Sequence, residues 1–371
     1  MFFEENGRPF GLVRIGFSSE EDERQYRENK VYYNKQISKF LKAAAQNAKK
    51  DCCALCGKAC TSFCNSHSVP SFALRRIAEN GKVVSPLQGE IPTFGESYGV
   101  KQAGTFRLIC QECDNTVFQQ YEDPNAYEQE PTDQMLAQIA LKEQLQMISK
   151  RNEERELYTL LKKKNPNIED QLNEEIFIGE CDLRDFYEGL NHAKKALANR
   201  TGKSYHLCFY KKLNYVVPYA AQVSVMLISD FEDRVINNIY CMDKRYKLKT
   251  IYAAVLPLKD TSVVLMFIED NDPRYRAFYR QLNKLPIEDQ LSAINYIIFS
   301  YSENVFLNPT VSKKVKEDQR FMDTCRKSMD FMALPLFSNM DLMSVAIKGF
   351  SLSRRNEIPN LLSKEFAIEL S

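Results

Sequence analysis

Residues 53–56 read Cys-Ala-Leu-Cys, and residues 110–113 read Cys-Gln-Glu-Cys. A Cys-x-x-Cys pair forms a turn that presents two thiolates, and two such turns supply the four ligands of a tetrahedral zinc ion. Between them, residues 66–70 read Ser-His-Ser-Val-Pro and hold one of the three histidines of the chain. The motifs therefore predict a zinc-stapled module around this histidine, with a structural zinc bound by Cys53, Cys56, Cys110 and Cys113.

Further cysteines near the first pair leave the ligand assignment open. Cys52 could replace Cys53 at a longer spacing, and Cys60, Cys64 and His67 form a competing set. If His67 bound zinc, it could not serve as a base. The paired turns are the favoured ligands, because the competing set would leave them without a purpose.

Length and composition indicate a globular chain. The 371 residues favour two domains, and 44% hydrophobic with 27% charged residues is ordinary for globular proteins. No apolar run approaches the roughly 18 residues that span a bilayer, and residues 1–10 lack the features of a secretory signal. Paired cysteines in such a chain favour metal ligands in a reducing compartment over disulfides. We therefore predict a soluble, cytoplasmic protein with no membrane partner.

A basic stretch directly precedes the first cysteine pair. Residues 24–50 contain eight basic residues and one acidic residue, Glu28, although the net charge of the whole chain is only +1. Residues 35–50 lack Pro and Gly and predict a helix. Such a charged face attracts nucleic-acid phosphates through counterion release, and a solvated helix face is the alternative. The face consists of Lys35, Lys39 and Lys42.

The chain divides into four predicted parts. Residues 1–50 form an N-terminal segment with the basic helix, and residues 51–130 form the zinc-stapled module. Residues 131–165 open with a Pro-Thr-Asp helix start and predict a connecting helical segment. Residues 166–371 predict an α+β domain in which helices cover a sheet. The apolar face of the connecting segment consists of Leu141, Leu145 and Ile148.

The predicted fold class is therefore α+β throughout. In the module, we expect a helix at 72–78, an extended loop at 79–104, a strand at 105–109 and a helix at 114–121. In the last part, β-rich patterns predict strands at 205–210, 216–228, 235–242, 251–256 and 262–268, with a hairpin turn at 258–261. Helices are predicted at 182–199, 274–282, 287–301 and 313–329.

Over about residues 50–124, the motifs in combination resemble the HNH, or ββα-metal, endonuclease superfamily. In that superfamily a Cys-x-x-Cys pair precedes an acidic-His-hydrophobic-x-Pro segment that ends the first strand. A second pair opens the helix and is followed by Asn or His. The corresponding segments here are residues 53–57, 66–70 and 108–115. Ser66 stands in the acidic position, and no asparagine lies between Gly81 and Asp114.

The resemblance implies roles for particular residues. His67 would be the general base, Asn115 with Asp114 would hold a catalytic metal, and the zinc would be structural. With Ser66 in the acidic position, that carboxylate is either missing or supplied by a nearby acidic residue: Asp114, Glu122 or Asp123.

The chemistry of phosphodiester hydrolysis supports the same residue types. The reaction needs a deprotonated water and a cation that stabilises the developing charge. A neutral imidazole is a suitable proton acceptor near pH 7. A carboxylate and an amide at a helix start are oxygen ligands suited to Mg²⁺ or Mn²⁺. Arg75 and Arg76, after the Pro70 turn, could grip the flanking phosphates.

The leading interpretation is a metal-dependent HNH-type endonuclease, a hydrolase that cleaves DNA, in a setting such as bacterial defence against phage. The sequence does not distinguish DNA from RNA. We expect residues 166–371 to sense a ligand, form a homo-oligomer or bind a protein partner. One alternative is a non-catalytic zinc-ribbon module that binds nucleic acid or protein, and another is a structural protein stapled by zinc. Three residues discriminate, because only the enzyme needs them: His67, Asp114 and Asn115.

Overall fold

The computed structural model of the chain describes residues 24, 28–86, 97–164, 166, 169–199, 202–241, 243, 245–311, 315, 317–331 and 341–369. The expectation that residues 1–10 hold no secretory signal lies outside these residues. So do parts of the basic stretch, of the loop at 79–104 and of the tail beyond residue 330. In the part of the chain described, no helix combines the length and apolarity needed to cross a bilayer.

Short elements dominate the first third of the chain. Helix α1 (Lys30–Asn47) is followed by strand β1 (Ser66–His67), helix α2 (Ser71–Ile77) and strands β2 (Lys82–Val83), β3 (Tyr98–Gly99) and β4 (Thr105–Phe106). Helix α3 (Gln111–Val117) follows, and the antiparallel strand pairs are β1 with β4 and β2 with β3.

The strand predicted at 105–109 ends early for a visible reason. Beyond Phe106, the carbonyl of Leu108 accepts from the amide of Ala54 at 3.1 Å, and that of Ile109 accepts from Cys64 at 2.8 Å. This backbone is therefore bonded to the first cysteine turn and to Cys64 instead of to a neighbouring strand. Helix α3 begins at Gln111, three residues before the predicted start at residue 114.

Two long helices follow the module. Helix α4 (Asp133–Lys164) is continuous, and helix α5 (Glu169–Ala198) is longer than predicted. The predicted apolar face of α4 is buried, but so is every residue from Met135 to Leu145, because other elements surround this half of the helix. Gly189 permits α5 to approach α4 closely, since a Cβ atom at position 189 would lie 2.8 Å from the Gln144 side chain.

The last third of the chain builds a five-stranded antiparallel sheet. Its strands are β5 (Tyr205–Leu213), β6 (Tyr219–Val225), β7 (Ile251–Pro257), β8 (Ser262–Glu269) and β9 (Val305–Leu307), in the order β5-β8-β7-β6-β9. The predicted hairpin between β7 and β8 is confirmed, with the Leu258 amide bonded to the Thr261 carbonyl at 2.8 Å. Helices α6 (Arg276–Leu282), α7 (Ile287–Tyr301), α8 (Gln319–Phe331) and α9 (Leu342–Phe350) complete the described elements.

The strand predicted at 235–242 is wrong. Over the described residues 235–241, the one isolated bridge joins Val235 to Ser229. The buried side chain of Asn237 explains the difference, since its amide nitrogen donates to the carbonyls of Leu227 at 2.9 Å and Lys249 at 3.0 Å. Side-chain hydrogen bonds thus satisfy the backbone here in place of a strand ladder.

Both faces of the sheet are buried, as the predicted covering by helices requires. One face packs on α4, α5 and the module, and Leu74, Phe118, Leu141 and Phe267 belong to that single core. The other face packs on α6, α7 and α8. The fold is thus α+β, whereas the boundaries predicted at 130/131 and 165/166 stay predictions.

One turn of α4 contacts the module and two strands of the sheet. Lys142 reaches the module, where its Nζ atom lies 2.8 Å from Asp114 Oδ1. Glu143 Oε1 accepts a hydrogen bond from Gln222 Nε2 on β6 at 3.3 Å. Gln144 Nε2 donates to the hydroxyl of Tyr252 on β7 at 2.8 Å. Consecutive polar residues therefore join the module, the sheet and the helix pair.

Candidate metal centre and active site

The two cysteine turns converge as predicted. The Sγ atoms of all four residues lie within 4.8 Å of one another, and those of Cys56 and Cys110 are 3.9 Å apart. A tetrahedral zinc with Zn–S bonds of about 2.3 Å needs sulfurs about 3.8 Å apart. The group formed by Cys53, Cys56, Cys110 and Cys113 could therefore hold a metal ion such as zinc.

Local backbone geometry shapes the first turn. The amide of Gly57 donates to the carbonyl of Cys53 at 2.9 Å. Gly57 has a φ of 70°, which side chains disfavour, so glycine suits this position. The amide of Cys110, at the start of α3, donates to Cys53 Sγ at 3.3 Å and joins the two turns.

One thiol of the group ionises readily. Burial raises the pKa of Cys53, but hydrogen bonds from the backbone of Cys56, Cys110 and Leu55 outweigh burial and lower it to about 6. Burial and the neighbouring thiols raise the pKa of Cys113. Zinc binds thiolates, so the contacts that lower the pKa of Cys53 also favour metal binding there.

The competing set of ligands is not assembled. Cys64 Sγ donates to Asp114 Oδ2 at 3.2 Å, and Cys60 Sγ donates to the Ser62 carbonyl at 2.7 Å. Cys52 is exposed. Among the described residues, the four paired cysteines are the only group of three or more His, Cys, Asp or Glu residues arranged to hold a metal.

His67 lies at the end of β1 and is half-buried. Its Nε2 atom is 2.9 Å from the carbonyl oxygen of Val100. A carbonyl oxygen only accepts, so Nε2 of a neutral ring carries the proton and Nδ1 is the acceptor. The pairing of His67 with Thr105 on β4 fixes the backbone that carries this ring.

Asp114 is bonded to a buried lysine. Lys142 is fully buried, and its ammonium lies 2.8 Å from Asp114 Oδ1, 2.9 Å from Ser66 Oγ and 3.1 Å from Glu122 Oε1. It also lies 3.8 Å from the centre of the Phe118 ring. Burial raises the pKa of Asp114, but the Lys142 charge and hydrogen bonds, including that from Ser66, bring it below the ordinary value.

The Lys142 ammonium therefore lies among the oxygen atoms that the sequence predicts as ligands of a catalytic metal. Its ammonium contacts two of the three carboxylates considered for that role, as well as the serine in the acidic position. Asn115 is exposed and instead accepts from Gln111 Nε2 at 2.7 Å on the same helix. A divalent ion held by Asp114 would have to share this carboxylate with Lys142 or displace it.

The predicted nucleic-acid contacts differ in their accessibility. Lys35, Lys39 and Lys42 are exposed on α1, and Arg75 is exposed on α2. Arg76 is half-buried, and its Nε atom donates to the Leu258 carbonyl at 3.0 Å, so it supports the contact with the β7–β8 turn.

Comparison of the chain with protein-family models, with curated proteins and with solved structures found no match in any of the three. What the structure supports of the HNH resemblance is the four-cysteine group. Membership of the superfamily stays a prediction, and function has to be argued from the residues of the site.

Proposed function

We propose that the zinc-stapled module is an endonuclease that hydrolyses phosphodiester bonds in DNA, with His67 as the general base. The four cysteines would hold a structural zinc that fixes the two strands and α3. The exposed lysines of α1 would bind the phosphate backbone on either side of the cleaved bond.

The observation that carries this proposal is the bond between His67 and the Val100 carbonyl. It orients the ring and assigns the proton to Nε2, which leaves Nδ1 able to accept a proton from water. Within the described residues, no hydrogen bond reaches Nδ1. A half-buried histidine held in this tautomer is suited to general-base catalysis near neutral pH.

The catalytic metal of the proposal is Mg²⁺ or Mn²⁺ at Asp114 and Asn115. These residues supply hard oxygen ligands, and the metal would stabilise charge on the phosphate. Lys142 competes for Asp114, so metal binding has to weaken that ion pair. We therefore expect cleavage to need a high concentration of metal ion. Mn²⁺ should support cleavage better than Mg²⁺, because Mn²⁺ binds such ligands more tightly.

Cleavage of supercoiled plasmid by the full chain tests the proposal. We expect nicked and linear products with Mn²⁺, and none when EDTA is added. His67→Ala should lower the rate by about 10²-fold or more by removing the base. The zinc content and the affinity for DNA should stay unchanged, because the histidine contacts neither.

His206→Ala is the matched control, since His206 is also half-buried but lies on β5, away from the module. It should cleave like the parent chain. Loss of zinc from His67→Ala would make the histidine a structural ligand. Equal cleavage by His67→Ala and the parent chain would show that His67 is not the general base.

A second candidate function is a non-catalytic zinc module that binds nucleic acid. The specific observation in its favour is the buried Lys142 ammonium, which already neutralises the carboxylate of Asp114. Binding of DNA without cleavage of DNA or RNA under any divalent metal would support this candidate. The proposed setting in defence against phage is a prediction from the arrangement of parts alone.

A further inference from the structure

A cavity of about 620 Å³ lies between α4, α5 and the edge of the sheet. Its walls come from residues 143–158 of α4, 175–186 of α5, 224–228 at the end of β6, 301–306 around β9 and 104–106 at β4. Ligand pockets usually measure roughly 300–1,000 Å³. The cavity can thus hold a molecule the size of a small metabolite.

The walls carry an excess of acidic groups. Lys150 and Arg151 are the cationic residues among those lining the cavity, and both are already paired. Lys150 Nζ lies 2.7 Å from Glu303, while Arg151 contacts Glu154 and lies 2.9 Å from Asp182. Within the described residues, no cation lies within ion-pair distance of the three remaining carboxyl groups: Glu143, Glu153 and Glu175.

Burial outweighs the favourable contacts of these carboxyl groups, which are hydrogen bonds to Glu143 and Glu153 and the Arg151 charge near Glu175. Burial raises the pKa of Glu143 well above its ordinary range and that of Glu175 to about 7. Burial also raises the pKa of Glu153. A positive charge in the cavity would reverse these shifts, because it favours the ionised form.

A buried hydroxyl also faces the cavity without a partner. Ser224 on β6 is 8% exposed, and its Oγ atom has no hydrogen bond. It pairs with Tyr252 across the ladder and so lies on the sheet face that packs against α4. The amide oxygen of Gln146, another lining residue, is likewise buried and unpaired. Buried polar atoms are rarely left unpaired, so a ligand that donates N–H groups would satisfy both.

The remaining lining includes aromatic and aliphatic side chains, such as Leu157, Phe186 and Phe306, together with uncharged polar residues. Such walls bury the carbon skeleton of a ligand, and aromatic faces attract organic cations. A bare metal ion fits poorly, because these carboxylates do not converge as ligands in the described chain. An anion such as a nucleotide would meet unpaired acidic groups.

We propose that this cavity binds an organic cation with several N–H donors, of the amine or guanidine class. The ammonium or guanidinium groups would pair with Glu143, Glu153 and Glu175, and Ser224 and Gln146 would accept further N–H bonds. This inference goes beyond the proposed nuclease activity and does not depend on it.

Titration calorimetry on the full chain, with spermidine and agmatine as probes, tests the inference. We expect saturable binding of at least one probe, with one site per chain. Glu153→Gln and Glu175→Gln should each weaken binding by about tenfold, the effect of losing one charge-assisted hydrogen bond. Ser224→Ala should also weaken it. None of these variants should unfold the chain, because none removes a carboxylate of an ion pair, and Ser224 Oγ has no hydrogen bond to lose.

Glu365→Gln is the matched control, since Glu365 is exposed and lies outside the cavity. 1,4-Butanediol and glutarate serve as uncharged and anionic probes, and neither should bind. Failure of both cations to bind at millimolar concentration would overturn the inference. So would equal binding by the Glu175→Gln variant, or binding of the uncharged diol with the same affinity.

Discussion

Lys142 joins helix α4 to the module through a buried ion pair with Asp114. Removing an ammonium group from water costs several kcal/mol unless carboxylates and hydrogen bonds replace the lost hydration. Lys142 has both, from Asp114, Glu122 and Ser66. Its loss should therefore be costly mainly because it leaves the partially buried Asp114 without a counter-charge.

We expect Lys142→Met to lower the free energy of unfolding by about 3–5 kcal/mol, the usual cost of breaking a buried ion pair from one side. The double variant Lys142→Met/Asp114→Asn should recover much of this loss, because no buried charge is then left unpaired. Urea denaturation at pH 7 measures both. Additive losses in the double variant would mean that the two side chains are not energetically coupled.

Acid provides an independent check on the same pair. Because the folded pKa of Asp114 is lowered, its ionisation stabilises the fold above its unfolded pKa, near about 4. This contribution is lost as the pH falls through the lowered folded pKa. The difference in stability between the parent chain and Asp114→Asn should therefore shrink in acid, and a difference that grows would contradict the assigned charge.

Sequence patterns could identify the four cysteines, because their spacing alone makes two chelating turns. They could also single out His67 and Asp114 as neighbours of those turns. They could not identify Lys142, which lies 28 residues beyond Asp114 in a stretch rich in charged residues. Its burial comes from packing on all sides of α4, and helical periodicity describes only one face.

At the scale of elements, α1 shows how a helix can serve packing and charge together. Phe40, Leu41 and Ala44 pack against α4, and the Lys164 ammonium lies 4.5 Å from the centre of the Phe40 ring. Lys35, Lys39 and Lys42 are exposed. The apolar contact fixes the helix, so the exposed lysines form a positioned basic face.

Charge reversal on this helix should weaken DNA binding. We expect Lys35→Glu/Lys39→Glu to lower the affinity on all sequences alike and to flatten its dependence on salt, because fewer counterions are released. Fluorescence anisotropy with labelled duplexes over a range of salt concentrations measures this. Lys211→Glu/Lys212→Glu on β5 makes the same change of charge at exposed positions away from the module and is the control. Equal effects of the two variants would indicate that only net charge matters.

Elements with strong local signals were predicted well. Helix α7 has the predicted bounds of 287–301, and the β7–β8 hairpin follows from its turn residues. Strand β9 was not predicted, because its three residues form a strand only by pairing with β6 and bridging to Val84 of the module. Such pairings join residues that are distant in sequence, so local patterns carry no signal for them.

At the scale of the whole molecule, the four-cysteine group and the sheet share one hydrophobic core. Cys53 and Cys113 belong to the same buried cluster as Tyr252 and Phe267. Loss of the metal should therefore also destabilise the sheet and its covering helices, because the core that the module covers would be exposed to water.

The purified chain should carry about one zinc ion, and Cys56→Ser should lose it, since three thiolates remain of a four-ligand structural site. In urea, zinc release, followed with a chromogenic chelator, should coincide with the loss of far-ultraviolet ellipticity from the sheet and helices. Cys52→Ser is the matched control, because Cys52 is exposed and lies outside the group. Zinc release well before the main transition would instead show that the module unfolds separately.

The turn of α4 that holds Lys142, Glu143 and Gln144 also determines the rotational setting of the helix. Consecutive residues on an α-helix point about 100° apart, so each of these side chains addresses a different neighbour. A slip of one residue would place Leu141 or Glu143 against Asp114 and would break all three polar contacts. The three polar contacts therefore select one rotation of this helix about its own axis, in a segment that is buried on almost every side.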